Sequence, residues 1–138
     1  MSLTELAKAL DDTEEVELTV TGRVTGRKSS RPVWFVKEGG TLYLLPVKGS
    51  DSAWYQNVLR HPTIGLRADG VTATARATPI TDPAAVREVV EKFRAKYGAD
   101  NVRKYYSKFD VAVRVPLSAR GAKAPSKTRR KAPAKARR

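Results

Sequence analysis

Apolar positions change their spacing several times along the chain, and each change marks an element. Leu3, Leu6, Ala7 and Leu10 fall at i, i+3, i+4 and i+7, which predicts an opening helix with one apolar stripe. Ser2 and Glu5 stand as a capping box at its start, and the stripe ends near Asp11-Asp12. From Glu14 the spacing falls to two. Val16, Leu18 and Val20 partly alternate with Glu14, Glu15 and Glu17, the pattern of a half-buried first strand. A second strand is expected from about Arg31 to Lys37 and a third over Thr41–Val47, joined by a Glu38-Gly39-Gly40 turn. A short helix follows Asp51 or Ser52 as its cap, carries Trp54, Tyr55, Asn57, Val58 and Leu59, and stops at Pro62. Strands over Thr63–Ala68 and Val71–Thr78 flank Asp69-Gly70, a hairpin turn. Asp82-Pro83 starts a longer helix whose stripe is Val86, Val89, Val90, Phe93 and Tyr97, closed by Gly98. A shorter helical stretch carries Val102, Tyr105 and Tyr106, and the last strand is Val111–Val115, ended by Pro116. Six short strands linked by hairpins, with three or four helices, predict an α+β fold built on a small antiparallel barrel, with the 83–97 helix packed outside.

One segment has no apolar period. Between Thr21 and Arg31 lie Gly22 and Gly26, the cations Arg23, Arg27, Lys28 and Arg31, and the hydroxyls of Thr21, Thr25, Ser29 and Ser30. Such a set can cradle an anion, and it can equally be a solvated basic hairpin. It is not a P-loop: Gly22 and Gly26 are one residue too close, Arg27 separates Gly26 from Lys28, and Pro32 leads into a strand. The dinucleotide fingerprint G-x-G-x-x-G is absent too. Lys48-Gly49-Ser50 forms a second small basic loop.

Composition narrows the chemistry further. The 138 residues include no cysteine and one histidine, His61, so thiolate metal sites and disulfides are excluded and no metal site is expected. No apolar run reaches the roughly 20 residues of a spanning helix, and no signal peptide is evident, which predicts a cytoplasmic protein. The net charge of +13 is uneven. Residues 118–138 hold nine Lys or Arg and no acid, leaving 18 basic against 14 acidic residues in 1–117. Two units are therefore expected: a domain over 1–117, and a disordered Lys/Arg/Ala/Pro tail over 118–138. Such a tail either solubilises the protein or binds nucleic acid weakly and without sequence preference.

Several stretches then resemble one family in order and spacing: Thr25-Gly-Arg-Lys-Ser29, Pro32-Val-Trp-Phe-Val36, Gly39-Gly40-Thr-Leu-Tyr43, Gly49 to Val58, and Asp110 to Leu117. Across about residues 15 to 117 the chain is similar to the split β-barrel flavin and deazaflavin oxidoreductases, the FMN-binding, pyridoxamine-phosphate-oxidase-like fold. Within them it looks most like the deazaflavin-dependent nitroreductase and quinone reductase branch. The resemblance implies coenzyme F420, or alternatively FMN, lying between barrel strands. It implies that Arg27, Lys28 and Ser29 hold the anionic tail and that Arg31, Pro32 and Val33 run past the ring. Lys48, Gly49 and Ser50 would approach from the next strand end, and Trp54, Tyr55 and Asn57 from the helix behind it. It also implies a homodimer and a quinone- or nitro-type electron acceptor.

No catalytic residue is assigned, and Tyr105-Tyr106, placed before the last strand, read as helix packing. Of the adjacent Trp54 and Tyr55, one is expected in the core and the other free to face a ligand. A non-enzymatic nucleic-acid-associated protein, acting through the tail, is the remaining alternative.

Overall fold

The computed structural model describes residues 3–117. The Ser2 cap and the tail over 118–138 lie outside them. The chain runs α1 (Leu3–Leu10), β1 (Glu15–Thr21), β2 (Lys28–Glu38), β3 (Thr41–Leu44), a 3₁₀ turn (Gly49–Asp51), α2 (Ala53–Arg60), β4 (Thr63–Ala68), β5 (Val71–Arg76), β6 (Thr78–Ile80), α3 (Pro83–Tyr97), α4 (Ala99–Tyr105) and β7 (Ala112–Pro116). All strand pairings are antiparallel, and the order across the sheet is β5-β4-β1-β2-β3-β7-β6.

The two outermost strands of that order, β5 and β6, are separated in the chain by Ala77 alone. A flat seven-stranded sheet would hold its edges roughly 28 Å apart, at about 4.8 Å per strand spacing. One residue cannot span that distance, so the sheet must curl until its edges meet. The expected single strand over 71–78 is therefore two strands with a corner at Ala77, where Ala77 N–H donates to the Pro62 carbonyl at 2.8 Å. The fold is a split barrel of seven strands rather than six.

Two cores result. Val16, Leu18, Val20, Leu42, Leu44, Ile64, Leu66, Val113 and Val115 fill the barrel, with α1 contributing Leu6 and Leu10 and α2 contributing Trp54, Tyr55 and Val58. The second core lies outside the barrel wall, where Val86, Val89, Val90 and Phe93 of α3 and Val102 of α4 pack on Val36, Leu45 and Ala112. α3 starts as expected, with the Asp82 carboxylate accepting from Ala85 N–H at 3.0 Å. The two layers explain why consecutive residues Phe35 and Val36 are both buried: odd positions of β2 face the barrel and even ones face α3.

Three strand boundaries differ from expectation. β3 stops at Leu44 rather than Val47, because Pro46 has no N–H for a ladder. β2 starts at Lys28 rather than Arg31, since its polar start pairs with β1 through Thr21↔Lys28 and Val20↔Ser29. β7 includes Pro116, opposite Thr41.

Candidate functional site

β2 outgrows its neighbour. Its eleven residues pair with β1 from Lys28 to Trp34, but with β3 only from Phe35 to Glu38. Because β3 ends before Pro46, the chain there leaves the sheet and a gap opens beside the first half of β2. A cleft of about 370 Å³ occupies that gap. Its walls are Pro32, Val33 and Trp34 of β2, Leu45 and Val47 after β3, Trp54 of α2, and Tyr105 and Tyr106 at the end of α4. Among the described residues, Glu15 is the one charged residue lining it.

The aromatic side chains are mutually fixed. Trp34 stacks on Tyr97 with ring centroids 4.2 Å apart and planes 6° from parallel. Tyr105 meets Trp34 edge-on at 5.5 Å and is half exposed, while Tyr106 lies 6.0 Å from Trp34 and is buried. Burial raises the Tyr106 phenol well above its ordinary pKa and pushes that of Tyr97 up to about 12. Both phenols are therefore neutral at physiological pH. Tyr97 places its hydroxyl in hydrogen bonds to backbone, whereas the Tyr106 hydroxyl has no partner among the described residues. A buried hydroxyl without a partner is costly, and in a cleft it is available to a bound molecule.

The basic hairpin is built differently from an amide nest. Gly26 has φ +74°, the left-handed turn its lack of a Cβ permits. However, Gly22 N–H donates to the Arg27 carbonyl (2.7 Å), Gly26 N–H to that of Gly22 (3.0 Å), and Arg27 N–H to the Thr25 hydroxyl (3.1 Å). Those three amides are consumed within the turn. Residues paired directly across an antiparallel ladder share a face. Ser29, Arg31 and Val33 thus lie on the face of Val20, Leu18 and Val16, while Lys28, Ser30, Pro32 and Trp34 lie on the other. The Ser30 hydroxyl bonds that of Thr19 at 2.6 Å. Arg27, Lys28 and Arg31 are exposed, and their side-chain cations bond no described residue. Lys28 is on the same face as Pro32, about 13 Å away along the strand at ~3.3 Å per residue.

The second basic loop is held in place by Asp110. Its carboxylate accepts from Ser50 N–H (2.9 Å) and from the Ser50 hydroxyl. That hydroxyl bond is the main reason the Asp110 carboxyl is held below the usual carboxylate range. Gly49 has φ +55°, and a Cβ there would come within 2.1 Å of an Asp110 oxygen. Lys48 remains exposed beyond this anchor, its N–H donating to the Ser52 hydroxyl at 2.8 Å. Ser52 thus spends its side chain on Lys48 rather than capping α2.

Of the residues expected from α2, Trp54 and Tyr55 are both buried in the barrel core, against the expectation that one would be free. α2 plugs the barrel end, so more than one of its faces is covered. Trp54 nevertheless lines the cleft. The buried Asn57 carboxamide oxygen accepts from Arg23 N–H (3.0 Å) and from the Arg23 guanidinium (2.8 Å), tying the hairpin to α2.

The structure therefore brings Pro32, Val33 and Trp54 together in the cleft. Arg27, Lys28, Ser29 and Arg31 lie along the hairpin, and Lys48, Gly49 and Ser50 in a separate anchored turn. The sequence reading missed Glu15, Trp34, Leu45, Val47, Tyr105 and Tyr106 as cleft residues. Pro46, which has no N–H to continue the β3 ladder into Val47, was the available signal.

Known proteins share this architecture. The F420-H2 dependent reductase FDR-A superposes with a TM-score of 0.58 at 20% identity, over 74% of this chain and 93% of that one. A proposed pyridoxamine 5'-phosphate oxidase from Listeria innocua gives 0.60 at 15% identity, over 82% and 90%. HutZ, a haem storage protein from Vibrio cholerae, gives 0.62 at 14%, over 84% and 90%. At such identities the likeness establishes the split-barrel fold. No protein with a curated description matches. Residues 5–114 match the model of DUF2255, described as an uncharacterised protein conserved in bacteria, and the chain belongs to that family.

Proposed function

We propose that the cleft receives the ring of coenzyme F420, or alternatively of FMN, and that the protein is an oxidoreductase acting on quinone- or nitro-type small molecules. The observation that carries this is an aromatic, nearly uncharged cleft with an unpartnered buried phenol, opening beside a strand that presents free cations. That donor set fits a flat heterocycle with an anionic extension. Its likeness in fold to an F420-H2 dependent reductase supports the same reading. When bound, such a cofactor supplies hydride transfer.

The chain's own residues bind and orient. Pro32, Val33 and Trp34 form one wall, Tyr105 and Tyr106 the other, and Trp54 the floor. Tyr106 offers its hydroxyl to a ring heteroatom. Lys28, on the Pro32 face, attracts the anionic extension, with Arg27 beside it. Arg31 and Ser29 face away from that line, so their contribution is through charge and the backbone. Lys48, Gly49 and Ser50 border the site as a rigid turn. Tyr55 and Asn57 support it from behind. A homodimer that covers the open half of β2 belongs to the same proposal. So does weak nucleic-acid affinity of the 118–138 tail, which truncation after Leu117 would abolish.

Titration of the purified protein with F420 and with FMN, followed by fluorescence, tests the reading. Saturable binding of one cofactor is expected. Tyr106→Phe should weaken it about two- to twelvefold, the net value of one neutral hydrogen bond. It should not lower the melting temperature, because it removes a hydroxyl that the protein itself leaves unpaired. Absence of binding by both cofactors would end the proposal.

A further inference from the structure

Trp34 is the largest cleft residue on β2, and what fixes it comes from the far end of the second layer. Tyr97 is the last residue of α3, followed by Gly98 at φ +97°. Its ring lies flat on Trp34. Its hydroxyl accepts from Phe35 N–H at 3.1 Å. Two carbonyls are within its donating reach, Glu14 at 2.8 Å and Phe35 at 2.9 Å, and its single proton serves one at a time. These contacts bracket one rung of the sheet: Glu15 and Trp34 are cross-strand partners, and both line the cleft. The neighbouring Lys96 adds to the bracket. Its ammonium donates to the Phe35 carbonyl at 2.8 Å and lies 3.7 Å from the centre of the Phe35 ring.

Among the described residues, Tyr97 is the ring stacked face to face on Trp34, while Tyr105 meets it edge-on and Tyr106 at a tilt. Phe35 and Trp34 sit where β2 passes from one ladder to the other, so the backbone there is free to shear unless held. An indole backed on one face by a stacked ring has its remaining face and edge fixed toward the cleft.

We propose that Tyr97 is the positioning residue of the cleft: its ring sets the plane of Trp34 and its hydroxyl locks the Glu15–Trp34 rung, so that α3 determines how tightly the cleft grips a planar ligand. The role rests on the cleft being the cofactor site, but its physical core does not. A flat ligand gains from the Trp34 face in proportion to how little that face must be ordered on binding. Tyr97 supplies that order in advance, without touching the ligand.

The experiment uses the full chain and the variants Tyr97→Phe, Tyr97→Leu and Val86→Ala, each also combined with Trp34→Phe. Subtracting the paired spectra isolates Trp34 emission, since the chain has two tryptophans. Acrylamide quenching of that emission and affinity for F420 are measured on each. Tyr97→Leu, which loses ring and hydroxyl, should at least double Trp34 quenching and weaken cofactor binding tenfold or more. Tyr97→Phe keeps the stack, so quenching should stay near wild type. Its loss of the hydroxyl should accelerate amide exchange at Phe35 while exchange in the middle of α3 is unchanged. Val86→Ala, at the other end of α3, destabilises the helix packing and should leave Trp34 quenching unaltered. If Tyr97→Leu does not fold, the Phe35 exchange rate in Tyr97→Phe decides the matter. Unchanged Trp34 quenching in a folded Tyr97→Leu, or unchanged Phe35 exchange in Tyr97→Phe, overturns the proposal. If wild type binds no F420 while quenching responds as stated, the cofactor reading fails and the positioning role stands.

Discussion

From Lys28 to Pro32, β2 is paired on one edge and exposed on both faces. From Phe35 to Val36 it is covered on both faces, by the barrel core on one side and by α3 on the other. Trp34 stands at the junction. The backbone conformation is the same throughout, so the difference arises from what surrounds it. Pro46 ends β3 early and strips the first half of one neighbour, while α3 and α4 are long enough to cover only the second half. The covered half contributes stability. The uncovered half retains the free cations, the open edge and the cleft wall on which the proposed recognition rests. A protein can place both tasks on one strand when its neighbours differ in length.

Breaking the covered half has the largest expected effect. Phe35→Ala removes a ring that is 1% exposed and carries the Lys96 ammonium over its face. It should cost about 3–5 kcal/mol, seen in the denaturant midpoint. An equivalent loss from Pro32→Ala would erase the distinction between the halves.

Breaking the open half should instead change binding. Lys28→Ala removes one charge-assisted contact, worth about 1.5–3 kcal/mol. F420 affinity should therefore fall roughly ten- to a hundredfold, with little effect on unfolding. Equal affinities would remove Lys28 from the site.

A smaller effect tests the anchored turn after β3. The Asp110 carboxyl is held low in the folded state, first by the Ser50 hydroxyl. A group whose folded pKa is depressed contributes stability above its ordinary range and loses it as pH falls toward the lowered value. The melting temperature should decline as pH falls through and below the usual carboxylate range, and Ser50→Ala should flatten that decline. An identical pH profile in the variant would show that the turn is held otherwise.

The smallest change is expected at Lys37, in the covered half, whose ammonium lies 3.0 Å from the Asp11 carboxylate. Lys37→Ala should cost no more than about 1 kcal/mol, as for a partly exposed ion pair, and leave F420 affinity unaltered. Any loss of affinity would show that charge anywhere on β2 suffices, and that the open half has no special role.

The covered half was legible in the sequence because burial leaves a period. Val16, Leu18 and Val20, the Asp69-Gly70 turn, the Asp82 cap and the stripe from Val86 to Phe93 all stand where spacing placed them. The open half was not, because an exposed strand has no apolar alternation, and Lys28 to Ser30 read as loop. The corner at Ala77 was hidden for another reason: a bend between two strands of one β-rich run needs no glycine or proline. The cleft was legible only through Pro32, Val33 and Trp54. Trp34 meets Tyr97 and Tyr105 across more than sixty residues of chain, a distance at which local pattern says nothing. The side chains of Asn57 and Ser50, expected near the cofactor, bond Arg23 and Asp110 in the fold.

The corner at Ala77 also sets an order of events. Because one residue joins the two rims of the sheet, closing the barrel there requires almost no loop to be restrained. The slow contacts lie elsewhere: β4 must find β1, and β7 must find β3 across nearly seventy residues. Hairpins β1–β2, β2–β3 and β4–β5 form from near neighbours, and long-range pairings follow them. β7 reaches β3 by way of α4, which carries Tyr105 and Tyr106. The far wall of the cleft is thus delivered by the last strand to dock. On that order, the cleft forms in the same step that completes the barrel, and a chain caught before that step lacks it.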